Sequence, residues 1–175
     1  MTDQSLQILE TDRLILRIFE PSDLEAFAAI EADPEVMRYY NSGPRSRDRA
    51  ERAIAWFIEL QEKFGHSLWA IEKKGRHECI GYCGLVPQSV AGRQEIEIGY
   101  KLAHEFWNQG YATEAAAAVR EWGFSRLPVN RLISLIDPLN VASIRVAEKI
   151  GMRYVQNCEY DGKDCRVYAI SRALS

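Results

Sequence analysis

The spacing of apolar and polar side chains divides the first third of the chain into one strand and two helices. Thr11 to Arg17 alternates polar and apolar residues, which predicts a strand. Pro21-Ser22-Asp23 is a helix start, and apolar residues follow it at helical spacing. Ser46 is positioned to cap a longer helix, whose apolar face consists of Ala50, Ile54, Phe57, Ile58 and Leu60.

After Gly65 the period changes from helical to strand-like. Three strands are predicted, over His66 to Glu72, Glu78 to Val86 and Gln94 to Leu102, and each connection contains a glycine. Connections this short join antiparallel neighbours, so the three strands are expected to form a meander.

The second half of the chain alternates helices and strands. In chain order the predicted elements are a helix over Gly110 to Arg126, a strand over Arg131 to Ile136, a helix over Asn140 to Ile150 and a terminal hairpin over Met152 to Arg172. The complete order, β-α-α-β-β-β-α-β-α-β-β, predicts an α/β fold. We expect a mixed, largely antiparallel central sheet of about seven strands flanked by helices.

Composition limits the classes of function. The 175 residues are expected to form one domain over 1–175, and 47% hydrophobic with 27% charged residues is typical of a globular protein. A net charge of −3 argues against a nucleic-acid partner and against binding to an acidic membrane surface. The chain has no long apolar run and no basic start followed by an apolar segment. We therefore expect a cytoplasmic protein, either a monomer or a homodimer.

The four cysteines contain no CxxC pair. Cys79 and Cys83 lie at an even separation within a predicted strand, which favours two core thiols over a metal pair. Asp161-Gly162 is typical of a two-residue hairpin turn, and folding about it places Cys158 opposite Cys165. In a reducing cytosol these two are expected to be neighbouring free thiols, with a disulfide as the alternative. We expect no metal site.

A glycine opens the helix that follows the meander. Gly110 lets the backbone approach a ligand closely, and Ala112 leaves room for a bulky anion. The first amides of a helix are unpaired and carry the positive end of the helix dipole, so this turn is suited to phosphate. On the turn alone, an ordinary strand-to-helix connection is an equally good interpretation.

Three ordered motifs span nearly the whole chain. The first is Glu10-Thr11-Asp12-Arg13-Leu14-Ile15-Leu16-Arg17. The second is Ile98-Gly99-Tyr100 followed by Trp107-Asn108-Gln109-Gly110-Tyr111-Ala112-Thr113-Glu114-Ala115. The third runs from Asn140-Val141-Ala142-Ser143 to Glu148-Lys149-Ile150-Gly151-Met152. Together they resemble the GNAT superfamily of N-acetyltransferases, and within it the branch of ribosomal-protein N-terminal acetyltransferases (the Rim type).

The resemblance implies acetyl-CoA as co-substrate and an amine as acceptor. It places the thioester beside the backbone of Ile98, Gly99 and Tyr100. It places the pyrophosphate among the amides of Gln109, Gly110, Tyr111, Ala112 and Thr113. Trp107 stands where the superfamily pattern has Gln or Arg, so the phosphate site is expected to rely on backbone amides rather than on a side chain.

Glu97 is the candidate general base. It lies two residues before Gly99 on the strand beside the cofactor, from which a carboxylate can take the amine proton directly or through water. Glu95 shares its face by strand alternation. An equally good interpretation makes both residues solvated surface acids.

Ser143 is the candidate general acid for the leaving thiolate. Many members of the superfamily carry a tyrosine seven residues after the asparagine of the third motif, but Ala147 stands there in this chain. The Rim-type branch offers a serine at the position of Ser143. The resemblance also implies that Asn140 binds the pantetheine arm or orients the site. Helix capping is the alternative role for Asn140 and Ser143.

The sequence thus predicts an enzyme that transfers an acetyl group directly from acetyl-CoA to a primary amine. By resemblance the acceptor is a protein or peptide N-terminal α-amine. A polyamine, an amino-acid-like metabolite or a drug is the alternative acceptor, and an acyl-CoA-binding sensor is the non-enzymatic alternative. Tyr39, Tyr40 and Trp56 belong to the region that covers the acceptor in this family, although core packing is the commoner role of such aromatic residues.

Overall fold

The computed structural model describes residues 6–173, which form one eight-stranded mixed sheet with two helices on each face. The strands are β1 (Gln7–Glu10), β2 (Leu14–Arg17), β3 (Leu68–Lys73), β4 (Cys79–Val90), β5 (Arg93–Leu102), β6 (Arg131–Ile136), β7 (Arg153–Tyr160) and β8 (Lys163–Ser171). The helices are α1 (Leu24–Ala32), α2 (Arg47–Phe64), α3 (Tyr111–Arg126) and α4 (Val141–Lys149). The strand order is β1-β2-β3-β4-β5-β6-β8-β7, and only β5 and β6 pair in parallel within this described region.

The mixed, largely antiparallel sheet confirms the predicted fold class, but it has eight strands rather than about seven. Residues 7–10 form an additional strand, and the strand predicted from Thr11 to Arg17 begins only at Leu14. A tight turn separates the two strands. The Thr11 amide donates to the Leu14 carbonyl at 2.9 Å, and the Leu14 amide donates to Thr11 Oγ1 at 3.0 Å. The polar run over residues 11–13 is therefore a turn and not the start of a strand.

The helices begin where the sequence predicts them, because their starts depend on local chemistry. Ser46 Oγ accepts a hydrogen bond from the Arg49 amide and caps α2, which ends at Gly65 with φ +73°. Asn140 caps α4 in the same way. No helix within residues 6–173 combines the length and the hydrophobicity needed to span a membrane.

The three middle strands form the predicted antiparallel meander. In its register, Glu97 lies opposite Val86, and Ile98 lies opposite Leu85. Val86 packs in the cluster that α1 and α2 cover, whereas Leu85 and Ile98 pack in the cluster that α3 and α4 cover. Neighbouring residues of β5 therefore project to opposite faces of the sheet.

The terminal hairpin has the predicted turn. Asp161 and Gly162 both adopt positive φ values, +52° and +70°, as a type I′ turn requires. Cys158 lies opposite Cys165, and both thiols are free, so the disulfide alternative is wrong for this structure.

Candidate active site

The loop before α3, residues 107–110 and called here the Gly110 loop, begins a run of backbone amides without partners among the described residues. Gly110 precedes the helix with φ +82°, and Asn108 has φ +58°. The Glu114 amide is the first in the helix to find a backbone acceptor, the Gly110 carbonyl at 3.0 Å. Within residues 6–173, the amides of residues 109–113 make no hydrogen bond. All five are thus available to an anion at the positive end of the helix dipole.

Two side chains stabilise this loop. Trp107 Nε1 donates to the Leu102 carbonyl at 2.9 Å, and Gln109 Nε2 donates to the Glu105 carbonyl at 2.8 Å. The exposed ring of His104 packs against Trp107, with 4.6 Å between the ring centroids. Trp107 therefore shapes the loop instead of presenting a polar side chain to it.

Arg13 attaches the N-terminal segment to the start of α3, a contact that the sequence analysis missed. Its Nε lies 2.6 Å from Glu114 Oε2, and its Nη1 donates to the Gln109 carbonyl at 3.0 Å. The guanidinium also stacks over the Tyr111 ring, 4.3 Å from its centroid. Thr11 Oγ1 donates to the same Glu114 carboxylate at 2.6 Å.

This contact has an electrostatic consequence for the anion site. Glu114 places a carboxylate in the first turn of α3, where it opposes the binding of an anionic ligand. Burial favours its neutral form, but hydrogen bonds from Thr11 and Arg13 outweigh burial and lower the pKa of Glu114. The guanidinium neutralises that charge. The pair is separated by 101 positions in the chain, so no local pattern reveals it.

The parallel strands β5 and β6 are paired through their backbones at one position in the described chain, Glu97 with Ile133, and diverge after it. After this position, hydrogen bonds that involve side chains take the place of backbone–backbone hydrogen bonds between the two strands. The Leu135 amide donates to Glu97 Oε1 at 3.2 Å, and Ser134 Oγ donates to the Ile98 carbonyl at 2.8 Å. Beyond this position the two strands have no backbone pairing in the described chain, and this unpaired region is called here the β5–β6 gap.

Tyr100 lies between this gap and α4. The backbone N–H and C=O of alternate strand residues point to the same edge, so those of Tyr100 face β6, as those of Ile98 do. Tyr100 pairs with no residue of β6 in the described chain. The Tyr100 hydroxyl donates to the Ser143 carbonyl at 2.8 Å. The structure therefore brings the second and third sequence motifs together at the gap.

The first turn of α4 carries the other two candidate residues. Asn140 Oδ1 accepts a hydrogen bond from the Ser143 amide at 3.1 Å, which is the capping role considered above. The partly buried Ser143 side chain is a hydrogen-bond partner of the Tyr100 side chain, whereas the side-chain nitrogen of Asn140 has no hydrogen-bond partner among the residues described. Ala147 is fully buried in the core.

Glu97 is partly buried on the sheet face that α1 and α2 cover. Its carboxylate accepts from Gln88 Nε2 at 2.7 Å and from the Leu135 amide. Burial raises the pKa of Glu97 to about 7, although both hydrogen bonds oppose the rise. Glu95 is paired with Arg131 at 3.5 Å, and its side chain is only 12% exposed. Neither residue is a solvated surface acid.

The connection between α1 and α2 is attached to the β7–β8 hairpin. Lys163 Nζ donates to the Tyr39 carbonyl at 3.0 Å and lies 2.7 Å from Asp137 Oδ2. The Asn41 side-chain amide donates to the Asp161 carbonyl. These contacts hold the connection against the turn of the hairpin and the end of β6.

The aromatic residues of this region have different environments. Tyr40 lies over Lys101, whose Nζ is 4.0 Å from the ring centroid, whereas Trp56 is about half exposed on α2.

No group of three or more histidine, cysteine, aspartate or glutamate side chains within residues 6–173 is arranged to hold a metal ion.

Residues 13–153 match the family model of the GNAT acetyltransferase domain, a span that contains the β5–β6 gap, the Gly110 loop and α4. The chain belongs to the GNAT acetyltransferase family. It is therefore an acyltransferase, and acetyl-CoA is the co-substrate that this family uses.

Individual relatives agree with this assignment. The uncharacterised protein YkkB of Bacillus subtilis (strain 168) is 41% identical over 161 residues, which cover 91% of this chain and 93% of YkkB. Spermidine N(1)-acetyltransferase of Escherichia coli (strain K12) is 28% identical over 142 residues, which cover 78% of this GNAT chain and 70% of that enzyme. The crystal structure of an acetyltransferase from Agrobacterium tumefaciens str. C58 has a TM-score of 0.81 and 30% identity, covering 94% of each chain. Membership of the Rim-type branch stays a prediction.

Proposed function

We propose that this GNAT protein acetylates the N-terminal α-amine of a protein or peptide. The observation that carries the proposal is the position of Glu97, whose carboxylate accepts the Leu135 amide of β6 at the β5–β6 gap, where burial raises its pKa to about 7. The pKa of an α-amine is about 7.7–8.0, against about 10.4 for a lysine side chain. Proton transfer from an α-amine to Glu97 is therefore nearly balanced, whereas transfer from an alkylamine is uphill by about three pKa units.

The Gly110 loop is proposed to bind the pyrophosphate of acetyl-CoA. The five unpaired amides of residues 109–113 and the positive φ of Gly110 fit a bulky anion. Bound acetyl-CoA supplies the activated acetyl group. The Tyr100 amide, at the gap, is proposed to donate to the thioester carbonyl, as preorganised oxyanion donors do.

Glu97 and Ser143 are proposed to handle the protons. Glu97 takes a proton from the ammonium, and the neutral nitrogen then forms a bond to the acetyl carbon as the carbon–sulfur bond breaks. The Ser143 hydroxyl, which lies beside the Tyr100 side chain, gives its proton to the departing thiolate and regains the remaining amine proton through solvent. The side-chain amide of Asn140 is proposed to bind the pantetheine arm.

The charges near Glu97 favour an acceptor with one positive charge. Glu95 is paired with Arg131, and Asp137 is paired with Lys163. A polyamine carries several charges and needs several unpaired carboxylates. The spermidine acetyltransferase relative favours the small-amine alternative, so spermidine belongs in the experiment.

An acceptor screen tests the proposal. Release of free CoA thiol is measured with acetyl-CoA and peptides that have free α-amines, with the same peptides N-terminally blocked but containing lysine, and with spermidine. We expect turnover only with the free α-amines. Turnover with spermidine and not with peptides would replace the peptide proposal by the small-amine one. Tight acetyl-CoA binding without turnover on any amine would support the sensor.

A further inference from the structure

A glutamine on β4 contacts the candidate base from the neighbouring strand. Gln88 Nε2 lies 2.7 Å from Glu97 Oε2 and 3.0 Å from the hydroxyl of Tyr160 on β7. We propose that Gln88 is a positioning residue that keeps the Glu97 carboxylate ionised and fixed beside the β5–β6 gap. The catalytic meaning of this inference rests on the proposed role of Glu97.

The orientation of the Gln88 amide follows from hydrogen-bond chemistry. An ionised carboxylate only accepts hydrogen bonds, so the nitrogen end of the amide faces Glu97. One N–H is directed to Glu97 and the other to Tyr160, which uses both donors of the group. The side chain is thereby held at two points, on β5 and on β7.

The register of the sheet makes this contact possible. Glu97 lies opposite Val86, and Gln88, two residues further along β4, projects to the same face. Both Gln88 and Glu97 are partly buried, which strengthens a hydrogen bond to a charged acceptor. Among residues 6–173, the other hydrogen bond that this carboxylate accepts is the longer one from the Leu135 amide, 3.2 Å, and it is what remains without Gln88.

The other ionisable groups around Glu97 do not provide a positive charge. Four interact with it electrostatically: Tyr100 on β5, Cys158 and Tyr160 on β7, and Cys165 on β8. Burial raises the pKa of each of them, so they are neutral near pH 7. Two cations lie in this region, and both are paired with other carboxylates: Arg131 on β6 with Glu95, and Lys163 on β8 with Asp137. Gln88 is therefore the side-chain donor that favours the ionised form.

The variant Gln88→Met tests this directly, because it keeps the length of the side chain and removes the donor. Carbon-13 NMR of protein labelled at the glutamate carboxyl follows the titration of Glu97, with Glu97→Gln identifying the signal. Gln94→Met is the matched control, since Gln94 is an exposed glutamine on the same hairpin, opposite Ser89. We expect the pKa of Glu97 to rise in Gln88→Met and to stay unchanged in the control.

The kinetic readout is the pH profile of kcat/KM. Loss of the donor moves the acidic limb to higher pH, so the variant is about fivefold slower at pH 6.5 and within about twofold of the parent at pH 9. If Gln88 had a purely structural role, Gln88→Met would lower kcat/KM by the same factor at every pH. If Gln88→Met fails to fold, Gln88→Asn, whose amide is one methylene too short to reach Glu97, gives the same test.

The outcomes separate this inference from the proposed function. A Glu97 titration that does not move in a folded Gln88 variant overturns the role of Gln88. A titration that moves while Glu97→Gln retains full activity supports Gln88 as the group that tunes Glu97, and rejects Glu97 as the base. A shift in both the titration and the kinetic limb supports both.

Discussion

The carboxylate of Glu97 accepts the Leu135 amide, which a continued β5–β6 ladder would have paired with backbone. The same side chain is partly buried, and burial raises the pKa of Glu97 to about 7 although the Leu135 hydrogen bond opposes the rise. The sequence made Glu97 a candidate base because it lies two residues before Gly99 on the strand that the resemblance places beside the cofactor. It gave no sign of the Gln88 contact, because that contact depends on the register between two strands.

The pH dependence of activity follows from Glu97. As the proposed base, Glu97 acts in its ionised form, so kcat/KM is expected to rise about tenfold per pH unit below pH 7 and to level off above it. Glu97→Gln should lose this limb and at least about a hundredfold of kcat/KM at pH 8. The control is Glu95→Gln on the same strand face, which should keep the limb. An unchanged profile in Glu97→Gln would exclude it as the base.

Ser143→Ala tests the proposed acid. Turnover is expected to fall roughly a hundredfold, because the departing thiolate loses its proton donor, while the dissociation constant for acetyl-CoA changes little. Ser125→Ala, another serine on a helix, serves as the control. Steady-state kinetics and calorimetric titration separate the two effects. Full turnover in Ser143→Ala would remove it from the mechanism.

The conformation at the start of α3 depends on two residues that are far apart in the sequence, Gly110 and Arg13. Gly110 supplies the positive φ, and Arg13 fixes the first turn from the other end of the chain. A Cβ atom at Gly110 would lie 3.3 Å from Arg13 Nη2. A side chain at position 110 would therefore disturb both the backbone conformation of the loop and its contact with Arg13.

The variant Gly110→Val is expected to weaken acetyl-CoA binding more than tenfold, because a branched side chain disfavours the positive φ that directs the five amides. Gly92→Val is the matched control: Gly92 also has a positive φ, +76°, but lies in the β4–β5 turn with open space around it. Both variants should lose comparable stability, of about 1–2 kcal/mol, in urea unfolding. Equal affinities in the two variants would contradict the phosphate assignment.

Elements with local signals were predictable, and contacts between distant elements were not. Ser46, Asn140 and Asp161-Gly162 determine a helix start or a turn within a few residues, so the sequence placed them correctly. The turn after β1 was missed because polar residues fit both a turn and the exposed positions of a strand. The Arg13–Glu114 pair joins residues on different elements and required the fold.

At the scale of the whole molecule, a buried ion pair links β5 to α1. Lys101 Nζ lies 2.6 Å from Glu31 Oε1, and their side chains are 4% and 0% exposed. Arg45 also pairs with Glu31, at 3.0 Å. Removing Glu31 leaves Lys101 without a counterion, whereas removing Lys101 leaves Glu31 paired with Arg45. The two substitutions are therefore expected to lower the free energy of unfolding by different amounts.

Glu31→Gln is expected to lower the free energy of unfolding by about 3–5 kcal/mol, because Lys101 is left as a buried charge without its counterion. Lys101→Met should cost less, since Arg45 still compensates Glu31. Glu25→Gln, which breaks the exposed Arg47 pair, is the control and should change little. Urea titrations measure all three. A Glu31→Gln protein as stable as the control would show that the buried pair is not required.

The sheet separates two faces of the molecule, and the β5–β6 gap lies between strands that both faces share. Ile98 and the helix that starts at Gly110 lie on one side of it, and Glu97 faces the other. The donor and the acceptor are therefore proposed to approach from opposite sides and to meet only at the β5–β6 gap. Substitutions on the α1–α2 side can then change which amine is accepted without disturbing how the donor is held. Such a division lets related enzymes diverge in acceptor while they keep one donor.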